Sequence, residues 1–182
     1  MTAIDQLKIR GFFKDGHEAV TTTARGRALE DLVAYLFELV PGIAVTARNS
    51  LNAFDAEEID VAFWNEGLSE GLRLFDHVLL VECKNWERPV GYSELAVFFD
   101  KLQSRGRPMG ILVAAAGITG EQTELTRAHS VLARALSKGC EIIVVTRAEI
   151  EGLPDTTALV RLLKQKRAQL AVSGTIHQVS AR

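Results

Sequence analysis

Two short segments of the sequence combine acidic side chains with a lysine in the alternating pattern of a β-strand. Glu82 and Lys84 are separated by a single residue, and Asp60 follows Glu58 by two positions in an earlier segment. Because successive side chains of a strand point to opposite faces, Glu82 and Lys84 share one face, and Glu58 and Asp60 share another. If the two strands pair, a carboxylate from each comes to lie beside the lysine.

Two neighbouring carboxylates predict a divalent metal ion, because they resist joint ionisation unless a cation lies between them. Mg²⁺ takes oxygen ligands at ~2.0–2.1 Å and commonly accepts one or two protein carboxylates together with phosphate oxygens. We therefore expect Asp60, Glu82 and the backbone carbonyl of Cys83 to bind Mg²⁺ or Mn²⁺. Such an ion activates water and polarises a phosphate. Lys84 would orient that water or stabilise the charged transition state.

A further acidic residue, Glu30, is a candidate for the same site. On a helix with about 100° between residues, Glu30 flanks the apolar stripe, from which it reaches the metal or its water. The alternative is a glutamate that faces solvent, the usual position of such a boundary residue. A Glu-X-Lys pattern alone is also usually a surface ion pair, so the combination of Asp60 with Glu82 and Lys84 carries the prediction.

Other reactive side chains give weaker signals. His129 lies on the apolar stripe of a helix and is expected in the core, and the remaining histidines lack zinc-ligand spacing. Cys83 and Cys140 stand in apolar runs, which indicates buried thiols. Trp86 has the chemistry to stack on a base, although a packed aromatic is the favoured alternative.

The order of helices and strands that would position these residues predicts an α/β domain. Apolar periodicity indicates helices over residues 24–40, 93–105, 119–138 and 155–170 and strands over 43–49, 58–64, 77–84, 109–116 and 140–146. This order implies three layers, with a central mixed five-stranded sheet flanked by helices. The first three strands would form an antiparallel meander, and crossovers would join the later ones. Helix caps are expected at Thr21 to Thr23, at Thr119 paired with Gln122, and at Asp155.

The composition fits one globular domain. The 182 residues are 47% hydrophobic and 24% charged, enough for a sizeable core. With 21 basic and 23 acidic residues, no global positive field indicates nucleic acid, so phosphate contacts would come from local patches. No apolar run approaches the length of a membrane span and no secretory leader pattern is present, so we expect a cytoplasmic protein.

At these residues the chain resembles the PD-(D/E)xK nuclease superfamily, which has the restriction-endonuclease-like fold, and within it the Mrr-like (type IV restriction) branch. Asp60 and Glu82-Cys83-Lys84 match the superfamily motif. Residues 25–30 resemble the glutamate-bearing helix segment, and residues 109–119 resemble the strand and turn after the second helix. Ile59 stands where the motif name has proline. The resemblance covers about residues 25–146, and it extends more distantly to archaeal Holliday-junction resolvases.

The resemblance implies Mg²⁺-dependent cleavage of DNA in prokaryotic restriction or DNA processing. Two alternatives stay open: a catalytically idle module of the same fold that binds DNA or assembles with partners, and a nuclease for branched DNA or RNA. Because duplex cleavage takes two cuts, we expect a homodimer or a partner chain. The boundaries expected are an N-terminal extension over 1–24, a nuclease domain over 25–170 and a C-terminal tail over 171–182. Candidate phosphate contacts, unless simply solvated, are Arg25, Arg27, Arg48, Arg88, Arg105 and Arg107.

Overall fold

A five-stranded mixed sheet forms the centre of the structure, a computed structural model that describes residues 1–51, 58–120 and 127–175. The strands lie side by side in chain order: β1 (Ile43–Leu51), β2 (Glu58–Asn65), β3 (Val78–Lys84), β4 (Met109–Ala114) and β5 (Glu141–Val145). β1, β2 and β3 pair antiparallel, whereas β3, β4 and β5 pair parallel. The predicted sheet, with its antiparallel meander and later crossovers, is confirmed.

Helices cover both faces of this sheet. Within the described residues they are α1 (Gln6–Glu18), α2 (Thr22–Glu38), α3 (Tyr92–Ser104), α4 (Arg127–Ser137), α5 (Arg147–Glu151) and α6 (Thr156–Ser173). One buried cluster joins α3 and α4 to one face of the sheet, and a second joins α1, α2 and most of α6 to the other. The predicted three-layer α/β architecture is therefore present. No helix in the described part of the chain has the length and apolarity to cross a membrane.

The central strand β3 has apolar residues on both faces. Val81 and Cys83 pack into the cluster with α1 and α2, while Leu80 packs into the cluster with α3 and α4. Glu82 lies on the α3 side and is 3% exposed. A strand enclosed by two helix layers thus carries a buried charge at its end, which requires partners from a neighbouring element.

The predicted helix caps are confirmed at two positions. The Thr21 hydroxyl accepts a hydrogen bond from the N–H of Ala24 at 3.1 Å, and Asp155 accepts one from Ala158 at 2.8 Å. The helix expected from Thr119 does not include Thr119 and Gly120, and Gly120 has φ of 94°, which a helix does not accommodate. Its described part is Arg127–Ser137. Gln122 of the predicted capping pair lies outside the described residues.

The N-terminal helix α1 was not predicted from the sequence. Asp5 caps α1, which buries Ile9 and Phe13 in the cluster shared with α2. Gly11 and Gly16 lower the helix propensity of this segment, so its helical state depends on packing against α2. Residues of α1 also line a cavity next to the segment that follows β3.

Candidate active site

β2 and β3 bring Asp60 beside the Glu82–Lys84 pair. Val61 pairs with Val81, and the next antiparallel step places Asp60 beside Glu82. Oδ2 of Asp60 accepts a hydrogen bond from the backbone N–H of Cys83 at 2.6 Å. This bond fixes the carboxylate at the C-terminal end of β3, where the sequence predicted a shared site.

Glu82 is held by two lysines. Its Oε1 lies 2.8 Å from Nζ of Lys84. Nζ of Lys101, on α3, lies 3.0 Å from Oε1 and 2.8 Å from Oε2. The Glu82 carboxylate is 4% exposed, so these contacts supply the partners that its burial requires. Lys101 was not among the residues predicted from the sequence.

The acidic pair and its lysines perturb one another's ionisation. Burial and, secondly, the charge of Glu82 raise the pKa of Asp60 from 3.8 to about 6, although the Cys83 N–H, Lys84 and Lys101 oppose the rise. For Lys84, burial acts to lower the pKa, but the charge and hydrogen bond of Glu82 and the charge of Asp60 outweigh it and raise the pKa. Lys84 is therefore a fixed ammonium at neutral pH, next to a carboxyl group whose pKa is raised to about 6.

A cavity of about 390 Å³ opens beside these residues. Its walls come from the N-terminal part of α2, the ends of β1 to β3 and the segment that follows β3. The acidic side chains in the lining are Glu30, Glu58 and Asp60, and Lys84 lies among them. A smaller cavity of about 170 Å³ shares Arg25, Asn85 and Trp86 with the first and is closed on one side by α1. The site thus has room for a phosphate group and ordered water.

Glu30 lies in the wall of the larger cavity. It is 7% exposed, accepts a hydrogen bond from Nδ2 of Asn49 at 3.0 Å, and lies 3.6 Å from the guanidinium of Arg48. The sequence left open whether Glu30 faces the site or faces solvent. Its low exposure and its place in the cavity lining favour the first alternative. Glu58 is exposed at the cavity edge.

The oxygen donors present fit a hard divalent cation. Asp60, Glu82 and the carbonyl of Cys83 are oxygen ligands, and the raised pKa of Asp60, caused by burial and then by Glu82, marks an acidic pair that a cation would relieve. No group of three or more His, Cys, Asp and Glu residues in the described ranges forms a candidate ion site. That is compatible with Mg²⁺, which takes one or two carboxylates and completes its shell with water and phosphate.

The structure also places Trp86, His129 and the two cysteines. Nζ of Lys84 lies 5.6 Å and the guanidinium carbon of Arg88 lies 4.5 Å from the centroid of the Trp86 ring, which is partly buried against the cluster with α3 and α4. His129 is 1% exposed and contacts the Thr175 hydroxyl at 2.6 Å, so the predicted core histidine is confirmed. Cys83 and Cys140 are buried free thiols, as predicted.

Two of the six candidate arginines line the larger cavity, namely Arg25 and Arg27. The others have protein partners: Arg48 contacts Asp31, Arg88 contacts Glu94, Arg105 donates to the Lys101 carbonyl, and Arg107 contacts Asp76. Asp76 precedes β3, so Arg107 lies at the end of the sheet opposite Lys84.

Sequence reasoning missed three side chains around the site. Lys101, Asn49 and Asn85 contact Glu82, Glu30 and the Arg25 carbonyl, respectively. Lys101 follows the buried Phe98 by three residues, so it flanks the apolar face of α3. A lysine in that position ordinarily extends towards water, and only the packing of α3 over β3 reveals its partner.

Comparison with known proteins identifies the family of this chain. The Mrr catalytic-domain family model, described as a restriction endonuclease, matches residues 21–153. No curated protein matches the chain. The matched segment runs from the N-cap of α2 past β5 and includes both motif strands and α3. The chain therefore belongs to the Mrr catalytic-domain family of restriction endonucleases, in the PD-(D/E)xK branch that its motif indicated.

Proposed function

We propose that this chain is a DNA endonuclease that hydrolyses phosphodiester bonds with Mg²⁺ or Mn²⁺, with Asp60, Glu82 and Lys84 at its active site. One observation carries the proposal. Asp60 and Lys84 line a cavity, and the buried Glu82 contacts Lys84 and raises the pKa of Asp60 after burial does, in a chain that belongs to a restriction endonuclease family.

The proposed roles follow from the positions of the side chains. Asp60, Glu82 and the carbonyl of Cys83 would hold the cation. When bound, such an ion acidifies water and neutralises charge on the scissile phosphate. Lys84 stays protonated because Glu82 and Asp60 outweigh its burial and raise its pKa, so it would act as a fixed positive charge on the attacking water or the phosphate rather than as a base.

Other cavity residues would bind and orient the substrate. Glu30, held by Asn49, would orient the attacking water. Arg25 and Arg27 would neutralise phosphates that flank the scissile bond. Because cleavage of both strands of a duplex takes two cuts, we further propose a homodimer or a partner chain, which light scattering of the purified protein would test.

A second candidate function is a catalytically idle module that binds DNA or assembles with partners. One observation favours it: the oxygens of Glu82 are occupied by Lys84 and Lys101, so a metal ion must share them or displace a lysine. The two candidates differ in one measurable property, which is cleavage in the presence of a divalent ion.

The decisive experiment is incubation of supercoiled and linear DNA with Mg²⁺, Mn²⁺ or a chelator. We expect nicking with either ion and none with the chelator. Asp60→Ala and Lys84→Ala should each abolish cutting while circular dichroism remains unchanged. Asp15→Ala and Lys138→Ala, at exposed positions outside the site, serve as matched controls. Equal cutting by all variants would reject these site residues, and DNA binding without any cutting would favour the idle module.

A further inference from the structure

Lys101 is a mostly buried lysine that contacts the acidic residue of the Glu-X-Lys motif from another layer of the fold. Its side chain is 11% exposed, and its ammonium contacts both oxygens of Glu82. Leu95, Phe98 and Leu102, all buried, hold α3 against the sheet. The ammonium is therefore presented by a helix with a fixed position relative to β3.

The contacts with the two lysines leave the Glu82 carboxylate one free lone pair, which is on Oε2. A carboxylate oxygen offers about two lone pairs. Oε1 uses both, for Lys84 and Lys101, whereas Oε2 uses one, for Lys101. While both lysines keep these contacts, Glu82 is able to ligate a cation only through Oε2.

The formal charges of four side chains, Glu82 and its three charged neighbours, also balance. Asp60 and Glu82 carry two negative charges, and Lys84 and Lys101 carry two positive charges. The field of Lys101 extends to Asp60 as well as to Glu82. A neutral cluster of this kind attracts a free divalent ion weakly, and a substrate phosphate would supply the missing negative charge.

We propose that Lys101 is a positioning residue that fixes Glu82 as a single-oxygen ligand and keeps the affinity of the DNA-free protein for divalent ions low. This inference rests on the proposed function. Removal of Lys101 would leave the cluster with a net negative charge and would free Oε2 of Glu82. The free protein would then bind the ion more tightly, yet it would cut more slowly because Glu82 loses its fixed orientation.

A purely structural ion pair leads to a different expectation. The chain contains another buried pair, in which Nζ of Lys166 lies 2.6 Å from Glu149. Lys166 lies outside the cavity lining, and its removal should lower stability without changing metal binding. Lys166→Met is therefore a matched control for Lys101→Met.

The test measures Mn²⁺ binding to the full chain without DNA, by electron paramagnetic resonance of the free ion, at a temperature where every variant is folded. We expect Lys101→Met to bind Mn²⁺ at least about tenfold more tightly than the wild type. Lys101→Arg should stay close to the wild type, and Lys166→Met should not differ from it. At saturating Mn²⁺, plasmid cutting by Lys101→Met should fall by about tenfold, with partial recovery in Lys101→Arg.

Each outcome has a distinct meaning. Unchanged Mn²⁺ affinity in Lys101→Met, with a wild type that cuts DNA, would overturn the inference and leave the proposed function in place. A wild type that neither binds Mn²⁺ nor cuts would overturn both. If Lys101→Met does not fold, Lys101→Gln removes the charge while it keeps a hydrogen-bond donor, and the same rise in affinity is required of it.

Discussion

Replacement of Asp60 by asparagine should stabilise the metal-free protein at neutral pH while it abolishes cutting. The Asp60 carboxyl is partly buried next to Glu82, and these two causes, burial first, raise its pKa from 3.8 to about 6. At pH 8 the folded protein therefore carries a carboxylate that the site disfavours. Asparagine removes the charge and keeps an oxygen that accepts the hydrogen bond of the Cys83 N–H.

The size and the sign of the expected change in stability follow from the pKa of Asp60 in the unfolded and folded protein. A change from 3.8 to about 6, at ~1.36 kcal/mol for each pH unit, corresponds to about 3 kcal/mol. Because the folded-state pKa is the higher one, the contribution of Asp60 to stability is complete below about pH 3.8 and is lost as pH rises through about 6. The side chain keeps some contact with solvent, so we expect a gain of about 1–2 kcal/mol at pH 8 and almost none at pH 4.

The assay is urea unfolding of wild type and Asp60→Asn, followed by tryptophan fluorescence, with a chelator at pH 8 and at pH 4. Asp15→Asn, at an exposed position on α1, is the control for loss of a carboxylate away from the site. Addition of Mn²⁺ at pH 8 should narrow the difference, because an ion that binds only the folded wild type stabilises it.

Two results would contradict this reasoning. The first is an Asp60→Asn variant that is no more stable than the wild type at pH 8. The second is a gain of equal size at both pH values, which would show that the gain does not come from ionisation of Asp60.

Three further predictions concern the surroundings of the site. A methyl group at Gly16 would approach Nδ2 of Asn85 to 2.5 Å, whereas nothing lies within 4 Å of one at Gly11, so Gly16→Ala should be about 1 kcal/mol less stable than Gly11→Ala in urea. Equal stabilities would show that the α1 contact with the segment after β3 is loose. Glu30→Gln should reduce plasmid cutting at least about tenfold at unchanged stability, and undiminished cutting would remove Glu30 from the site. Lys166→Met removes the ammonium next to the buried Glu149 carboxylate, which keeps its hydrogen bond from the Thr146 N–H, and should lower the free energy of unfolding by about 3 kcal/mol, whereas a loss near zero would show that the pair contributes little.

The juxtaposition of Asp60 with Glu82 was predictable from the sequence because it depends on local rules. The alternation of side chains along two short strands fixes which residues share a face. Two strands that follow each other in the sequence also usually lie side by side in the sheet. The apolar run before Glu82 indicated a central strand, and β3 is enclosed by helices on both faces. These rules act over a few residues and do not require knowledge of the layers.

The contact between Lys101 and Glu82 was not predictable in the same way. It depends on the position in which α3 crosses β3, which is set by the packing of Phe98 and Leu102 against the sheet. From the sequence alone, Lys101 is a polar residue at the edge of an apolar stripe, and the number of its partners is unknown. The same limit applies to α1, whose helix forms because Ile9 and Phe13 are buried against other elements.

The most direct test of the central claim is the position of a Mn²⁺ ion in crystals of the wild-type protein, located by anomalous scattering. We expect one peak at about 2.1 Å from oxygens of Asp60, Glu82 and the Cys83 carbonyl. A peak bound by other residues, or none at a Mn²⁺ concentration that saturates the DNA-free protein in solution, would contradict the claim.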